Sequence, residues 1–196
     1  MLWTPHSQQT QRAYDAPMRA GKSSIPPLAG GPHVPGLPPL PGSPLTCHCA
    51  SMTDDILANL RATAAGRFWD LVGIEFDSAA PGHAVCSVRL RDEHLNYNEV
   101  VHGGVISSLI DSAAGGAVRS TRTAEEIAAR PHATSDLHVV YMAPARGALL
   151  VADARVVRKG RTAVFTEVDV TDDAGRLVAR GLVTFVIGQG PPVRRD

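Results

Sequence analysis

Cysteine is scarce: only Cys47, Cys49 and Cys86 occur in 196 residues. So small and odd a number does not build a disulfide framework, and a reducing, cytoplasmic compartment is expected. Net charge is missing, because lysine plus arginine equals aspartate plus glutamate at 19 each. That balance removes the electrostatic footprint of a nucleic-acid partner or an anionic membrane surface. No run approaches the roughly 18 to 20 consecutive apolar residues of a bilayer crossing, so no membrane span is expected. The N-terminus lacks the charged start and compact apolar run of a secretory signal. Acids are nearly absent there too, Asp15 being the only one before Asp54. Organelle-targeting segments share that trait, but they need an amphipathic arginine-rich helix, which the many prolines oppose.

Proline itself divides the chain. Ten of the fifteen prolines lie at or before Pro44, as in Pro35-Gly36-Leu37-Pro38-Pro39-Leu40-Pro41. Such a segment makes neither helix interior nor central strand and buries little. Residues 1–51 are therefore expected to be a disordered Pro/Gly-rich tail, 52–188 a folded domain and 189–196 a flexible C-terminal tail. Translation starting at Met52, or a tail that binds a proline-recognising module, are the other readings of that segment. Cys47-His48-Cys49 hints at a metal, but no second pair follows to complete four ligands, so no metal site is expected.

From Thr53 the pattern becomes regular. Thr53 reads as an N-cap, and Ile56, Leu57, Leu60 and Ala64 recur at helical spacing. A strand is expected near residues 71–76, then a turn over Asp77–Gly82, then alternation along His83–Leu90. Gly103–Arg122 carries Val105, Ile106, Leu109, Ile110, Ala113 and Ala117 as an apolar helical stripe. Its many small residues, Gly115 and Gly116 among them, fit a helix closely surrounded by a sheet. Strands are expected over Thr134–Met142, Leu149–Val157, Thr162–Val170 and Leu177–Ile187, the last two joined by the turn residues Asp172-Asp173-Ala174-Gly175. The fold class is α+β, a long central helix against an antiparallel sheet of five to six strands.

The chemistry concentrates in His94–Val105 and the helix that follows. Asn96 precedes His102-Gly103-Gly104 by six positions, and Asp111 follows His102 by nine. Downstream lie Thr134-Ser135-Asp136-Leu137, Tyr141-Met142-Ala143-Pro144-Ala145 and Lys159-Gly160-Arg161-Thr162. Together these resemble the PaaI-like hotdog-fold acyl-CoA thioesterases over about residues 53–187. The resemblance implies a hotdog fold, an acyl-CoA substrate, no cofactor and Thr134 as a hydroxyl that helps hold water. Two positions depart from the family pattern: Tyr97 stands where Pro is common, and Glu99 where Gly is. A Gly there marks a turn that Glu99 makes at a cost.

The residues support the same chemistry without the family. Thioester hydrolysis needs a polarised carbonyl and an activated nucleophile. Gly103 opens a helix, so its free N–H points outward with the positive helix end behind it, and the Asn96 amide is a second donor. Asp111 activates water or attacks directly. It is the only acid between His102 and Arg122, which sets it apart from a solvated helix aspartate. His102 is expected to orient the loop. Gly104 and the basic residues Arg158, Lys159 and Arg161 are candidate CoA contacts, while a merely solvated hairpin tip explains the last three equally well. Nine residues on one helix turn through ~900° and rise about 13.5 Å, which puts His102 and Asp111 on opposite faces. A single site using both must be composite, with Asp111 and Thr134 from one subunit and Asn96 and Gly103 from another. An obligate homodimer follows, associating as a dimer of dimers (a homotetramer). The rivals are a hydratase, which that phase relation opposes, and a non-catalytic acyl-CoA-binding or regulatory protein on the same fold.

Overall fold

Alternating apolar and polar residues set six strands, and two stretches of helical periodicity set the longer helices. The computed structural model describes residues 48–190. In chain order these form α1 (His48–Ala64), α2 (Phe68–Val72), β1 (Ile74–Ala80), β2 (His83–Arg89), a 3-10 turn at Asp92–His94, α3 (Gly103–Arg119), α4 (Ala124–Ala129), β3 (His132–Tyr141), β4 (Leu149–Lys159), β5 (Ala163–Asp172) and β6 (Leu177–Ile187). One sheet contains all six strands in the order β1-β2-β4-β5-β6-β3, every neighbouring pair antiparallel. The α+β class and the central helix against a six-stranded sheet are as expected.

α3 packs against all six strands. Its Leu109, Ile110, Ala113, Ala114, Ala117 and Val118 are fully buried, and each large apolar side chain so removed from water contributes about 1.5–3 kcal/mol. Small residues allow the close approach. A Cβ on Gly116 would stand 2.6 Å from Phe76 Cε1 and 3.2 Å from Ala84 Cβ. Gly181 of β6 is likewise overlain by Ile110. Cys86, Ala84, Ala152 and Ala154 line the β2–β4 floor beneath the helix with no exposure. Burial, and then the Asp77 charge, raise the Cys86 thiol far above its ordinary pKa, so it is no nucleophile.

Four local expectations are corrected. The first helix begins at His48, so Thr53 lies inside it and is not its N-cap. The remaining tail residues 1–47 and 191–196, with Cys47, lie outside the described residues. The strand expected at 71–76 starts only at Ile74, as β1; Leu71 and Val72 instead end the helix α2, which Gly73 stops in the left-handed region (φ 78°), its N–H returning to the Trp69 and Asp70 carbonyls. β1 then runs through Asp77–Ala80, leaving only Pro81-Gly82 as the turn, with Gly82 at φ 78°. The central helix, expected to reach Arg122, ends at Arg119, and Glu125 and Glu126 lie in the separate helix α4, where Thr123 and Glu126 form a reciprocal capping box. No helix among the described residues is long and apolar enough to cross a membrane.

Candidate active site

α3 starts where the sequence puts its glycines. His102 is the N-cap, in an extended conformation, and its Nδ1 accepts the Gly104 N–H at 2.9 Å. That bond fixes the ring as a loop-orienting group with any neutral-state proton on Nε2. The Val105 N–H returns to the His102 carbonyl at 2.9 Å. The Gly103 N–H, first in the helix, has no acceptor among the described residues. It therefore remains available to a substrate oxygen, with the helix dipole behind it. The Tyr141 hydroxyl donates to the Gly103 carbonyl at 3.0 Å, and its ring lies 3.3 Å from where a Gly103 Cβ would be. Tyr141 thus clamps the helix start, and a larger residue at 103 would displace it.

The preceding loop is closed by its own bonds. Asn96 Oδ1 accepts the Asn98 N–H at 2.8 Å, the Asn96 N–H reaches the Val100 carbonyl and the Glu99 N–H the Asn96 carbonyl. The amide nitrogen of Asn96 is thereby left to point elsewhere. Glu99 has φ 57°, the left-handed conformation expected from the family's glycine. The loop keeps that turn at the cost of a non-glycine residue in it, on the order of 1 kcal/mol.

Asp111 sits two turns along α3. Thr134, near the start of β3, donates its hydroxyl to Asp111 Oδ1 at 2.7 Å. This charge-assisted bond holds one carboxylate oxygen and leaves Oδ2 for a second partner. Two concavities meet at the pair. An outer cleft is lined by Phe68, Ser107, Ser108 and Leu137. An inner pocket of about 200 Å³ is lined by Leu60, Phe76, Gly115, Arg119, His132 and Phe185 among others. Asp111, Ser112, Thr134 and Trp69 belong to both. The Asp111–Thr134 pair thus stands where the two concavities open into one another.

Asp111 and Thr134 are therefore brought together, as are His102, Gly103 and Gly104. The two groups are not joined within one chain, since eight residues of helix place Asp111 about 12 Å along the axis from Gly103. The basic hairpin lies farther still, at the opposite end of α3. Lys159 Nζ donates to the carbonyl of Thr121, just past that helix, and Arg161 lends its carbonyl to Arg130 Nη2. Arg158 is exposed on the outer side of β4. Among the described residues no cluster of three or more His, Cys, Asp or Glu could hold a metal.

Four residues escaped sequence reasoning. Tyr141 stood in a quoted motif without a role. Arg119 lies at i+8 from Asp111, a helical relation that would have found it. His132 had no evident partner in the linear order, and burial, then the Arg122 and Arg119 charges, push its pKa down to about 4. Trp69 lies in α2, a helix the sequence did not reveal.

A family model described as the thioesterase superfamily matches residues 98–179. Acyl-coenzyme A thioesterase 13 of Homo sapiens is 34% identical over 142 residues, covering 70% of this chain and 98% of that protein. The crystal structure of zebra fish thioesterase superfamily member 2 aligns with a TM-score of 0.59 at 31% identity, over 69% of this chain and 98% of that one. The E. coli PaaI protein from the phenylacetic acid degradation operon aligns with a TM-score of 0.63 over 71% of this chain and 98% of that one. At 20% identity that last likeness is one of fold.

Proposed function

The chain belongs to the thioesterase superfamily as a PaaI-like hotdog protein and thioester hydrolase, and from that premise we propose that it hydrolyses acyl-CoA to a free carboxylic acid and CoA at Asp111. The observation that carries this reading is the Asp111–Thr134 pair at the junction of an outer cleft and an inner pocket. Thr134 orients the carboxylate, and Oδ2 takes a proton from water as its oxygen attacks the thioester carbon. The C–S bond then breaks, and the proton passes to the departing CoA sulfur. Direct attack by Asp111 would instead form an acyl-aspartyl anhydride. Single-turnover hydrolysis in ¹⁸O-water bears on the choice, because label enters the protein only if the anhydride forms and water opens it at the aspartyl carbon. Neither route draws on a metal or cofactor.

Carbonyl polarisation falls to the Gly103 N–H and the Asn96 amide of a second subunit. Two features support that dimer. β3 is an edge strand, paired only with β6, and most of its residues are exposed. Leu137, Val140, Tyr141 and Met142 at and after it are 37–52% exposed. A long unpaired edge of this kind is a template for pairing with another copy. The outer sheet face exposes Val157, Phe165, Leu182 and Val186, which supports a further pairing into a dimer of dimers. The free, buried Cys86 accords with a reducing, cytoplasmic location.

Asp111→Asn tests the reading. Loss of the base lowers thiol release from acyl-CoA by roughly 10²–10⁴-fold while acyl-CoA still binds. An unaffected rate removes Asp111 from the reaction. Wild-type protein that binds acyl-CoA without turnover would make it a binding or regulatory protein.

A further inference from the structure

The inner pocket is apolar along its walls but not at its end. Asp111, Gly115 and Arg119 follow one another at intervals of four and so share a face of α3. Arg119 stands two turns, about 12 Å, beyond Asp111. Its Nε and Nη2 both go to the amide oxygen of Asn59, at 3.2 and 3.0 Å. No carboxylate pairs with it among the described residues. Arg122 behind it is also without an acid partner: Nη2 takes the Glu126 and Arg130 carbonyls, and Nη1 faces His132 Nδ1 at 3.4 Å. Burial, then the Arg122 charge, hold Arg119 below its ordinary pKa.

His132 completes this end. With Nδ1 set against a guanidinium donor, its proton lies on Nε2, which has no acceptor among the described residues. The ring is held edge-on to Phe185, with centroids 5.6 Å apart. Trp69 also lines the pocket, and its Nε1 is the one buried side-chain nitrogen or oxygen without a partner among the described residues. The pocket therefore offers donors and uncompensated positive charge, with its only acid, Asp111, committed to the reacting end. A methyl-ended acyl chain would desolvate Arg119 and return nothing for it. An anion there would take the spare guanidinium N–H and the His132 Nε2–H.

We infer that the inner pocket takes an acyl group ending in a carboxylate, so that the substrate is the CoA monothioester of a short dicarboxylic acid. This rests on Asp111 being the thioester-cleaving centre. Size agrees: about 200 Å³ exceeds the ~150 Å³ that accommodates benzene, which suits roughly six carbons with a terminal carboxylate. The reaction is unchanged, since water adds to the thioester carbon, the C–S bond breaks and the distal carboxylate stays as it entered.

The test compares adipoyl-CoA with hexanoyl-CoA, equal in chain length and different only at the far end. Wild-type kcat/KM should favour adipoyl-CoA by about tenfold or more, the worth of a charged hydrogen bond. Arg119→Gln should bring that ratio close to one, and Trp69→Phe should lower it less. Calorimetric binding of both thioesters to Asp111→Asn gives the same comparison without turnover. Hexanoyl-CoA cleaved as well as or better than adipoyl-CoA overturns the inference and leaves the hydrolase standing. Full preference retained in Arg119→Gln also overturns it. Tighter binding of adipoyl-CoA with no cleavage of either upholds the pocket assignment and sinks the hydrolase. Equal binding with no cleavage sinks both.

Discussion

The proposed two-subunit site makes a quantitative prediction about mixed subunits. Asn96→Asp keeps the Oδ1 acceptor that holds the Asn98 N–H at 2.8 Å, and so keeps the loop, but it deletes the amide donor. Loss of one oxyanion donor lowers kcat by about 10²–10³-fold. Asp111→Asn removes the base on a comparable scale, about 10²–10⁴-fold. Neither homodimer then contains an intact site. Reacting groups must lie about 3 Å from the carbonyl they act on, whereas Gly103 and Asp111 of one chain are separated by about 12 Å of helix rise. If the site draws its donors from one subunit and its base from the other, random reassortment of equal amounts repairs about a quarter of all sites. The mixture, co-refolded or co-expressed and assayed by thiol release, should recover about a quarter of wild-type activity, at least tenfold above either parent. The fraction is the same in a tetramer, because each site still draws on two subunits. Recovery no greater than the mean of the two parents would refute the two-chain site.

Four further predictions rest on a hydrogen bond, on helix packing and on a titration. Thr134→Val removes the 2.7 Å bond to Asp111, worth about 1.5–3 kcal/mol because its acceptor is charged, so kcat should fall roughly ten- to a hundredfold and Thr134→Ser should restore most of it in steady-state assays. Gly116→Ala forces a methyl to 2.6 Å from Phe76 and overpacks by about 1–3 kcal/mol against about 1 kcal/mol of helix propensity, so its melting temperature should fall. Gly115→Ala meets Phe185 only at 3.8 Å, keeps the helical gain, and should melt about 2–4 °C higher. His132 titrates near 4, mainly through burial, and its folded pKa therefore lies below its unfolded value of about 6.5. No stability is lost above pH 6.5; below it the unfolded chain takes up a proton that the folded one refuses, a loss of at most about 2 kcal/mol by pH 5. Urea midpoints at pH 7 and pH 5 should show that loss in wild type and a shallower one in His132→Gln.

Legibility of the sequence tracked the kind of physics involved. The long helix at Gly103 was readable because its apolar stripe has one period throughout and its start has a capping residue followed by two glycines. β6 was readable to the residue, Leu177–Ile187, because alternation and a turn bound it at one end. α2 was not. Five residues, Phe68–Val72, are too few to display a helical period, and an apolar run of that length reads as strand as readily as helix. Trp69 lies in that unread helix and lines the pocket from it.

The site was legible in its chemistry and much less so in its reach. Asp111 stood out because nothing else near it is acidic, whereas Thr134 was marked only by the family resemblance and met Asp111 through the pairing of β3 with α3. Both features are local in sequence or fixed by one strand–helix pairing. The rest of the pocket is neither. Arg119, His132 and Trp69 come from α3, β3 and α2, and their common feature is that none has an acidic partner or, for Trp69 and His132 Nε2, any acceptor at all. Unsatisfied donors are invisible in a sequence, because every arginine and tryptophan is a donor until the fold decides what it meets. In a structure they are the sharper signal: a buried donor left unpaired costs about 1–3 kcal/mol, and a chain retains that cost most readily where a ligand's acceptor relieves it.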